Sequence, residues 1–172
     1  MKIFANIVGV LAVAVFLLSY QQKRRGGIIF CNALSRALYI LQYLLLGAME
    51  GAVLDLCGIL ATVLAGKKHT AWMQKHWKLV MLLLDLLTVG AGLLLYRNLF
   101  SLLPIVGVLL HTGAFWLENE KKIRFVSLAG SPFWLGYNLY SRAFGSVIGD
   151  ALSIVSIAVA IVRYDVLGKK KT

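Results

Sequence analysis

The chain is a succession of long apolar stretches joined by short polar segments, and this alternation limits its possible folds more than any other feature. A helix needs about 20 mostly apolar residues to cross a bilayer. We predict transmembrane helices over residues 3–20, 28–47, 49–66, 77–96, 99–117, 124–142 and 143–163. With 60% hydrophobic and 15% charged residues, the composition is also far from that of a soluble domain. The sequence therefore predicts an all-α polytopic membrane protein, with seven transmembrane helices in a single integral membrane domain over residues 1–172.

Basic residues are distributed unequally between the two ends of these predicted helices. One end carries Lys2, Arg97 and Arg142. The other end carries fourteen basic residues: Lys23, Arg24, Arg25, Lys67, Lys68, Lys75, Lys78, Lys121, Lys122, Arg124, Arg163, Lys169, Lys170 and Lys171. Because basic residues are enriched in cytoplasmic loops, we expect the N-terminus to lie outside and the C-terminus to lie in the cytoplasm.

The formal net charge of +11 is explained by the same rule. We therefore expect membrane lipid, and no nucleic acid, as a partner. Cys31 and Cys57 lie at different predicted depths, which favours free thiols over a disulfide. The histidines are dispersed, so we expect no metal or other cofactor.

Two parts of the sequence repeat at related separations. The pentapeptide Ile-Val-Gly-Val-Leu occupies residues 7–11 and again residues 105–109. A shift of 94 or 95 aligns three further pairs: Tyr43 with Tyr137, Gly51 with Gly145, and Asp55 with Asp150. The repeats predict two parallel triple-helix bundles, residues 1–66 and 99–163, joined by a linker helix over residues 77–96.

Parallel repeats about an axis along the membrane normal are found in SWEET transporters. In helix count and orientation, this chain resembles the SWEET, PQ-loop and KDEL-receptor architecture. The Pro-Gln dipeptide typical of PQ-loop proteins is absent: the first repeat has Asn6 at the matching position, and the second has Pro104 without Gln.

A second set of motifs runs through residues 99–165. It comprises Leu102-Leu103-Pro104-Ile105-Val106-Gly107, then Arg124, Trp134 with Asn138, Gly145-Ser146 followed by an acid at Asp150, and Arg163. In these motifs the chain is similar to YgjV-type bacterial inner membrane proteins, although we would expect Glu at the position of Asp150. The resemblance implies an integral inner-membrane protein whose biochemical activity is unassigned.

Ionisable residues inside the predicted helices are expensive to insert and must face the protein interior. Helix geometry places Arg36, Asp85 and His111 at one depth, about 12 Å from the basic end. We interpret these three residues as a cluster that is either a structural ion pair between Arg36 and Asp85 or a cytoplasmic-side gate.

A second polar layer is predicted at about 20 Å from the basic end, nearer the outside. Asp55 and Asp150 lie there in matching positions of the two repeats, with Gln42 and Asn138 at similar depth. Trp134 belongs to a polar stripe on the sixth predicted helix together with Asn138. We assign this layer as a candidate substrate-binding site, with interhelical hydrogen bonding as the structural alternative.

These features favour a small-solute translocator or solute-binding membrane protein, with a polar cavity between the two bundles. Two acids favour a small polar or cationic solute. One alternative is a non-transporting receptor or assembly factor that contacts lipid or a partner through its basic loops. A less favoured alternative is intramembrane hydrolysis by Ser131, His111 and Asp85; we expect no catalytic residues. The sequence leaves the oligomeric state open.

Overall fold

The computed structural model describes residues 2–21, 25–117 and 119–166. Five of the predicted cytoplasmic basic residues lie outside this part of the chain: Lys23, Arg24, Lys169, Lys170 and Lys171.

Seven α-helices make up almost all of the described chain. They are α1 (Lys2–Gln21), α2 (Arg25–Leu46), α3 (Met49–Gly66), α4 (Ala71–Leu94), α5 (Leu102–Trp116), α6 (Glu120–Tyr140) and α7 (Phe144–Ala160). A 3₁₀ turn at Leu99–Ser101 precedes α5, and a π-helix at Ile161–Val166 continues α7. The predicted all-α fold class with seven helices is confirmed.

Four segments are long and apolar enough to cross a membrane on their own. They are Met49–Gly66, Ala71–Leu94, Leu99–Trp116 and Phe144–Val166. Shorter apolar helical segments lie at Lys2–Leu18 and Phe30–Leu46. The polar residues of α6 lower its hydropathy, so this helix depends on its neighbours for shielding. The protein is therefore an all-α membrane protein.

Two helices begin a full turn or more before the residue that hydropathy predicts. α4 begins at Ala71 instead of residue 77, and α6 begins at Glu120 instead of residue 124. The side chain of Asn119 accepts a hydrogen bond from the Lys122 amide at 3.1 Å, as an N-cap residue does. Hydropathy detects the apolar part of a helix, and it misses a polar first turn that lies beside the bilayer.

Six of the helices form a closed ring. Within the first half α2 packs between α1 and α3, and within the second half α6 packs between α5 and α7. Contacts between α1 and α7 and between α3 and α5 join the halves. α4 packs against α3 and α5, outside the ring, and exposes Leu79, Leu82, Leu83, Leu86 and Leu87. An apolar exposed face of this kind suits contact with lipid.

The ring has two chemically different ends. At the hairpin end, two tight turns join α2 to α3 and α6 to α7. At the opposite, basic end, residues 67–70 join α3 to α4 and residues 117–119 connect α5 to α6. Because each of these connections is short, the helices that flank it are antiparallel.

The two turns at the hairpin end have the same backbone conformation, 95 residues apart. Gly47 has φ +74°, and Arg142 has φ +59°. In the first turn the Ala48 amide donates to the Tyr43 carbonyl at 2.9 Å, and in the second the Ala143 amide donates to the Asn138 carbonyl at 2.9 Å. The backbone hydrogen bonds therefore fix a register of 95 at this end.

This register corrects two of the three predicted alignments. It pairs Tyr43 with Asn138 instead of Tyr137, and Gly51 with Ser146 instead of Gly145. The match of Asp55 with Asp150 agrees with it. Identical residue types at a shift of 94 suggested the wrong pairs, because the turn backbone, and not side-chain identity, determines the register.

The apolar core lies between the halves, towards the hairpin end. Tyr43, Trp134 and Tyr137 are almost fully buried there and contact one another. Gly51 faces the rings of Tyr43 and Tyr137, and Gly107 faces the indole of Trp134, where a Cβ atom would meet ring atoms at 2.7–3.2 Å. These glycines let bulky rings fit between closely spaced helices.

Candidate functional site

A polar cavity lies inside the ring, between the aromatic core and the basic end. Its volume is about 80 Å³. Side chains from α1, α2, α3, α5, α6 and α7 line it: among them are Phe16, Asn32, Arg36, Tyr39, Asp55, His111, Trp134, Asn138 and Asp150. Because both halves of the ring contribute, we call this space the central cavity.

An ion pair forms one wall of the central cavity. Arg36 Nη1 donates to Asp55 Oδ1 at 2.5 Å, and the two side chains are 12% and 6% exposed. Gly58 provides the space for the guanidinium, since a Cβ atom at that position would collide with it. The pair connects α2 to α3 within the first half of the ring.

The predicted ion pair between Arg36 and Asp85 is therefore wrong. Asp85, on the peripheral helix α4, has no ion-pair partner among the described residues and does not line the central cavity. The side chain that balances Arg36 is Asp55.

The prediction of two separate polar layers fails for a geometrical reason. From their positions in α2 and α3, the Cα atoms of Arg36 and Asp55 differ in depth by about 6 Å. A long arginine side chain can extend over such a distance. A depth calculated from the backbone therefore assigns Arg36 and Asp55 to different layers, although their charged groups are in contact.

Asp150 has a different environment from its counterpart Asp55. Its Oδ2 atom accepts a hydrogen bond from Asn138 Nδ2 at 2.7 Å, and Asn138 Oδ1 accepts one from the Tyr43 hydroxyl at 2.7 Å. Within the described chain no basic side chain pairs with Asp150. Among the described residues, the hydrogen-bond donor to the Asp150 carboxyl group is therefore a neutral amide.

Two buried polar atoms at the central cavity have no partner in the described protein. They are Asn32 Oδ1, an acceptor, and Arg36 Nε, a donor. Sequence reasoning did not select Asn32 or Tyr39, although Asn32, Ser35, Tyr39 and Tyr43 follow one another on α2 at helical spacings of three and four. This polar stripe is the sequence feature that predicts which face of α2 lines the central cavity.

Three hydrogen bonds between the halves close the central cavity at the hairpin end. Tyr43 bonds Asn138 at 2.7 Å. Beside this bond, the Ser146 hydroxyl donates to Gln42 Oε1 at 2.7 Å, and the Gly51 amide donates to the Tyr137 hydroxyl at 2.9 Å. In the register of 95, Gln42 matches Tyr137 and Gly51 matches Ser146, so the two flanking bonds are counterparts. We call these six residues the hairpin lock.

Gln42 belongs to the hairpin lock and does not line the central cavity. Besides Ser146 it contacts Asn6, to which its Nε2 atom donates at 3.2 Å. Trp134 does line the central cavity, and its indole stacks on Tyr43 with ring centroids 6.3 Å apart. Of the five predicted substrate-binding residues, the structure thus brings Asp55, Asp150, Asn138 and Trp134 to the central cavity, and places Gln42 behind them.

His111 lines the central cavity but does not form the hydrolytic trio considered above. Its Nε2 atom lies 3.0 Å from the Ser127 carbonyl and 3.4 Å from the Ser131 hydroxyl. A nitrogen that donates to a carbonyl carries a proton and has no lone pair with which to activate a serine. No hydrogen bond joins Asp85 to His111 within the described chain, so the predicted orienting group is missing.

The helices and the central cavity with its Arg36–Asp55 ion pair define a polytopic membrane protein with a charged interior. The chain belongs to the Imp-YgjV family, described as bacterial inner membrane protein, whose family model matches residues 3–167. It is therefore a protein of the bacterial inner membrane. Neither the comparison with curated proteins nor the comparison with solved structures gives a match.

Proposed function

We propose that the protein binds a small polar solute in the central cavity and moves it across the inner membrane. The observation that carries the proposal is a pair of buried atoms at the central cavity, Asn32 Oδ1 and Arg36 Nε, which have no partner among the described residues. A buried polar group without a partner costs about 1–3 kcal/mol. Water or a solute in the cavity would remove that penalty for both atoms.

The charges around the cavity favour a cation or coupling to protons. Arg36 and Asp55 balance each other, whereas the hydrogen-bond donor to Asp150 in the described part of the chain is the neutral amide of Asn138. A carboxylate inside a membrane protein needs a compensating charge or water. A protonated amine, another small cation or a proton at Asp150 would satisfy this requirement.

The size of the cavity further limits the solute. Its volume of about 80 Å³ is smaller than the engineered cavities of about 150 Å³ that hold benzene. Substrates of the dimensions of ammonium, methylammonium or guanidinium therefore fit this conformation better than a sugar or a peptide.

Movement of the two halves against each other would give alternating access. In a 3+1+3 layout of the SWEET, PQ-loop and KDEL-receptor type, residues 1–66 and 99–163 would act as two parallel units, with α4 as the linker. Opening would break the hairpin lock, whose three bonds all connect one unit to the other. The unequal distribution of basic residues supports a hairpin end that faces outside.

Solute binding is tested with purified protein and the chlorides of ammonium, methylammonium, guanidinium and sodium as probes. We expect at least one organic or ammonium cation to raise the unfolding temperature of the parent protein. Asp150→Asn should abolish the rise, whereas Asp85→Asn, an equal charge change outside the cavity, should retain it. No response to any probe would contradict solute binding and favour a non-transporting receptor or assembly factor.

Transport requires a second measurement, in which proteoliposomes are loaded with a pH-sensitive dye and given the solute that binds. Uptake in parent vesicles and none in Asp150→Asn vesicles is the expected result. Binding without uptake would reduce the function to a solute-binding membrane protein. Since His111 Nε2 donates to the Ser127 carbonyl and so cannot activate Ser131, we do not propose hydrolysis by these residues.

A further inference from the structure

A second and larger pocket lies at the basic end, away from the central cavity. Its volume is about 600 Å³. The residues that matter for its chemistry are Lys68 and His69 after α3, Trp77 on α4, Trp116 on α5, and Asn119 and Lys122 at the start of α6. We call this space the basic-end pocket.

The polar wall of the basic-end pocket is suited to an anion. Lys68 and Lys122 contribute two positive charges, and none of the side chains described in its lining is acidic. The N-termini of α4 and α6 also lie at this end, and helix N-termini favour negative charge. Lys68 Nζ is held at the pocket by a hydrogen bond of 3.4 Å to the Leu117 carbonyl.

The other wall is aromatic and adjoins the lipid-facing surface. Trp77 and Trp116 stack with ring centroids 6.3 Å apart and an interplanar angle of 21°. Trp77 is 37% exposed, and the exposed leucines of α4 begin two residues later at Leu79. Tryptophan concentrates at the level of lipid headgroups, where one side of the ring is apolar and the other is wet.

We propose that the basic-end pocket binds the phosphodiester headgroup of an anionic phospholipid. The lysines hold the phosphate, the tryptophans border the glycerol region, and the acyl chains follow the leucine face of α4. A lipid is favoured over a soluble phosphate compound because the pocket that holds the two lysines includes Trp77, and the exposed apolar face of α4 begins two residues after it at Leu79. Basic pockets between helices at the cytoplasmic face commonly take such headgroups.

The test uses full-length protein in phosphatidylcholine nanodiscs, titrated with dioctanoyl phosphatidylglycerol and followed by native mass spectrometry. Dioctanoyl phosphatidylcholine and inorganic phosphate serve as comparison ligands. Phosphatidylglycerol should bind at least tenfold more tightly than either. Lys68→Gln with Lys122→Gln should weaken its binding about tenfold to 30-fold, given the usual contribution of each lysine near anionic lipid.

Lys75→Gln with Lys121→Gln is the matched control. These residues are exposed at the same end and outside the pocket lining, so the net charge change is identical. Affinity within twofold of the parent supports a defined site. An equal loss in both double variants would overturn the site in favour of diffuse surface charge, and phosphate that displaces the lipid at equal concentration would overturn the lipid as its occupant.

Discussion

The hydroxyl of Tyr43 donates to the side-chain carbonyl of Asn138 at 2.7 Å, and the two residues lie 95 positions apart in the chain. This separation equals the register of the two hairpin turns, so each residue occupies the position in its half that the other occupies in the opposite half. The bond consequently lies at the middle of the hairpin lock. Because Asn138 also bonds Asp150, it couples the lock to the central cavity.

Tyr43→Phe should weaken the hairpin lock while leaving the aromatic packing in place. The loss of the hydroxyl removes the donor to Asn138 Oδ1, which is buried. Polar contacts between membrane helices contribute about 0.6 kcal/mol on average and about 1.7 kcal/mol at most. We expect a loss in that range, measured by reversible denaturation in detergent. A double-mutant cycle with Asn138→Leu should give a coupling energy of the same size, and additive effects would contradict the contact.

Replacement of one member of the Arg36–Asp55 pair should strongly destabilise the protein. Arg36→Met or Asp55→Leu alone leaves an uncompensated charge inside the membrane, at a cost of about 3–5 kcal/mol. The double variant Arg36→Met with Asp55→Leu should recover most of the folded yield, as measured by size-exclusion chromatography. Asp85→Leu should have little effect, and a large loss there would point to an ion pair that involves α4.

Gly145→Ala should disturb the contact between α7 and α1. A Cβ atom at Gly145 would meet backbone atoms of Gly9 and Val10 at 2.6–2.8 Å, and backbone cannot move aside as a side chain can. We expect a destabilisation of at least about 1 kcal/mol, in line with other overpacked sites. Gly90→Ala is the control, because nothing lies within 4 Å of its Cβ position on α4. Equal effects of the two substitutions would show that helix propensity, not the close approach, is responsible.

The two turns at the hairpin end permit a reciprocal pair of substitutions. Gly47 has φ +74° with open space around its Cβ position, so Gly47→Ala tests backbone conformation alone. A non-glycine residue in the left-handed region costs about 1–2 kcal/mol. Gly47→Ala should lower stability by about 1 kcal/mol, and Arg142→Gly should raise it by a smaller amount, since glycine also loses more entropy on folding. Thermal unfolding in detergent measures both, and a stabilised Gly47→Ala would contradict the shared turn conformation.

Hydropathy predicts all seven helices, apart from the first turns of α4 and α6, because a bilayer imposes a similar length on every crossing segment. The repeats in sequence also led to the match of Asp55 with Asp150. What a single sequence could not provide was azimuth, the direction in which each side chain points around its helix. For this reason depth alone pairs Arg36 with Asp85, although the structure places Asp55 beside it.

The direction of side chains around a helix also limits what the sequence predicts about the candidate site. Polarity within apolar segments identifies Asp150, Asn138 and Trp134, and these residues do line the central cavity. Gln42 satisfied the same criterion, yet it faces Ser146 and Asn6 instead. Neighbouring positions on one helix, such as Gln42 and Tyr43, differ by about 100° in direction, so polarity and depth alone cannot separate a cavity residue from one between helices.

The ring of six helices is joined at two seams, and the chain bridges them differently. At the seam between α3 and α5, the halves are connected covalently, because α4 links the end of α3 to the start of α5. At the seam of α1 and α7 only noncovalent contacts hold the halves, among them the Gly145 amide and its bond of 3.4 Å to Asn6. The first seam can therefore act as a hinge, because the chain crosses it. The second seam has no chain connection across it and can separate. If the halves separate as proposed, we expect the larger displacement at the seam of α1 and α7, and spin labels on these two helices would measure it.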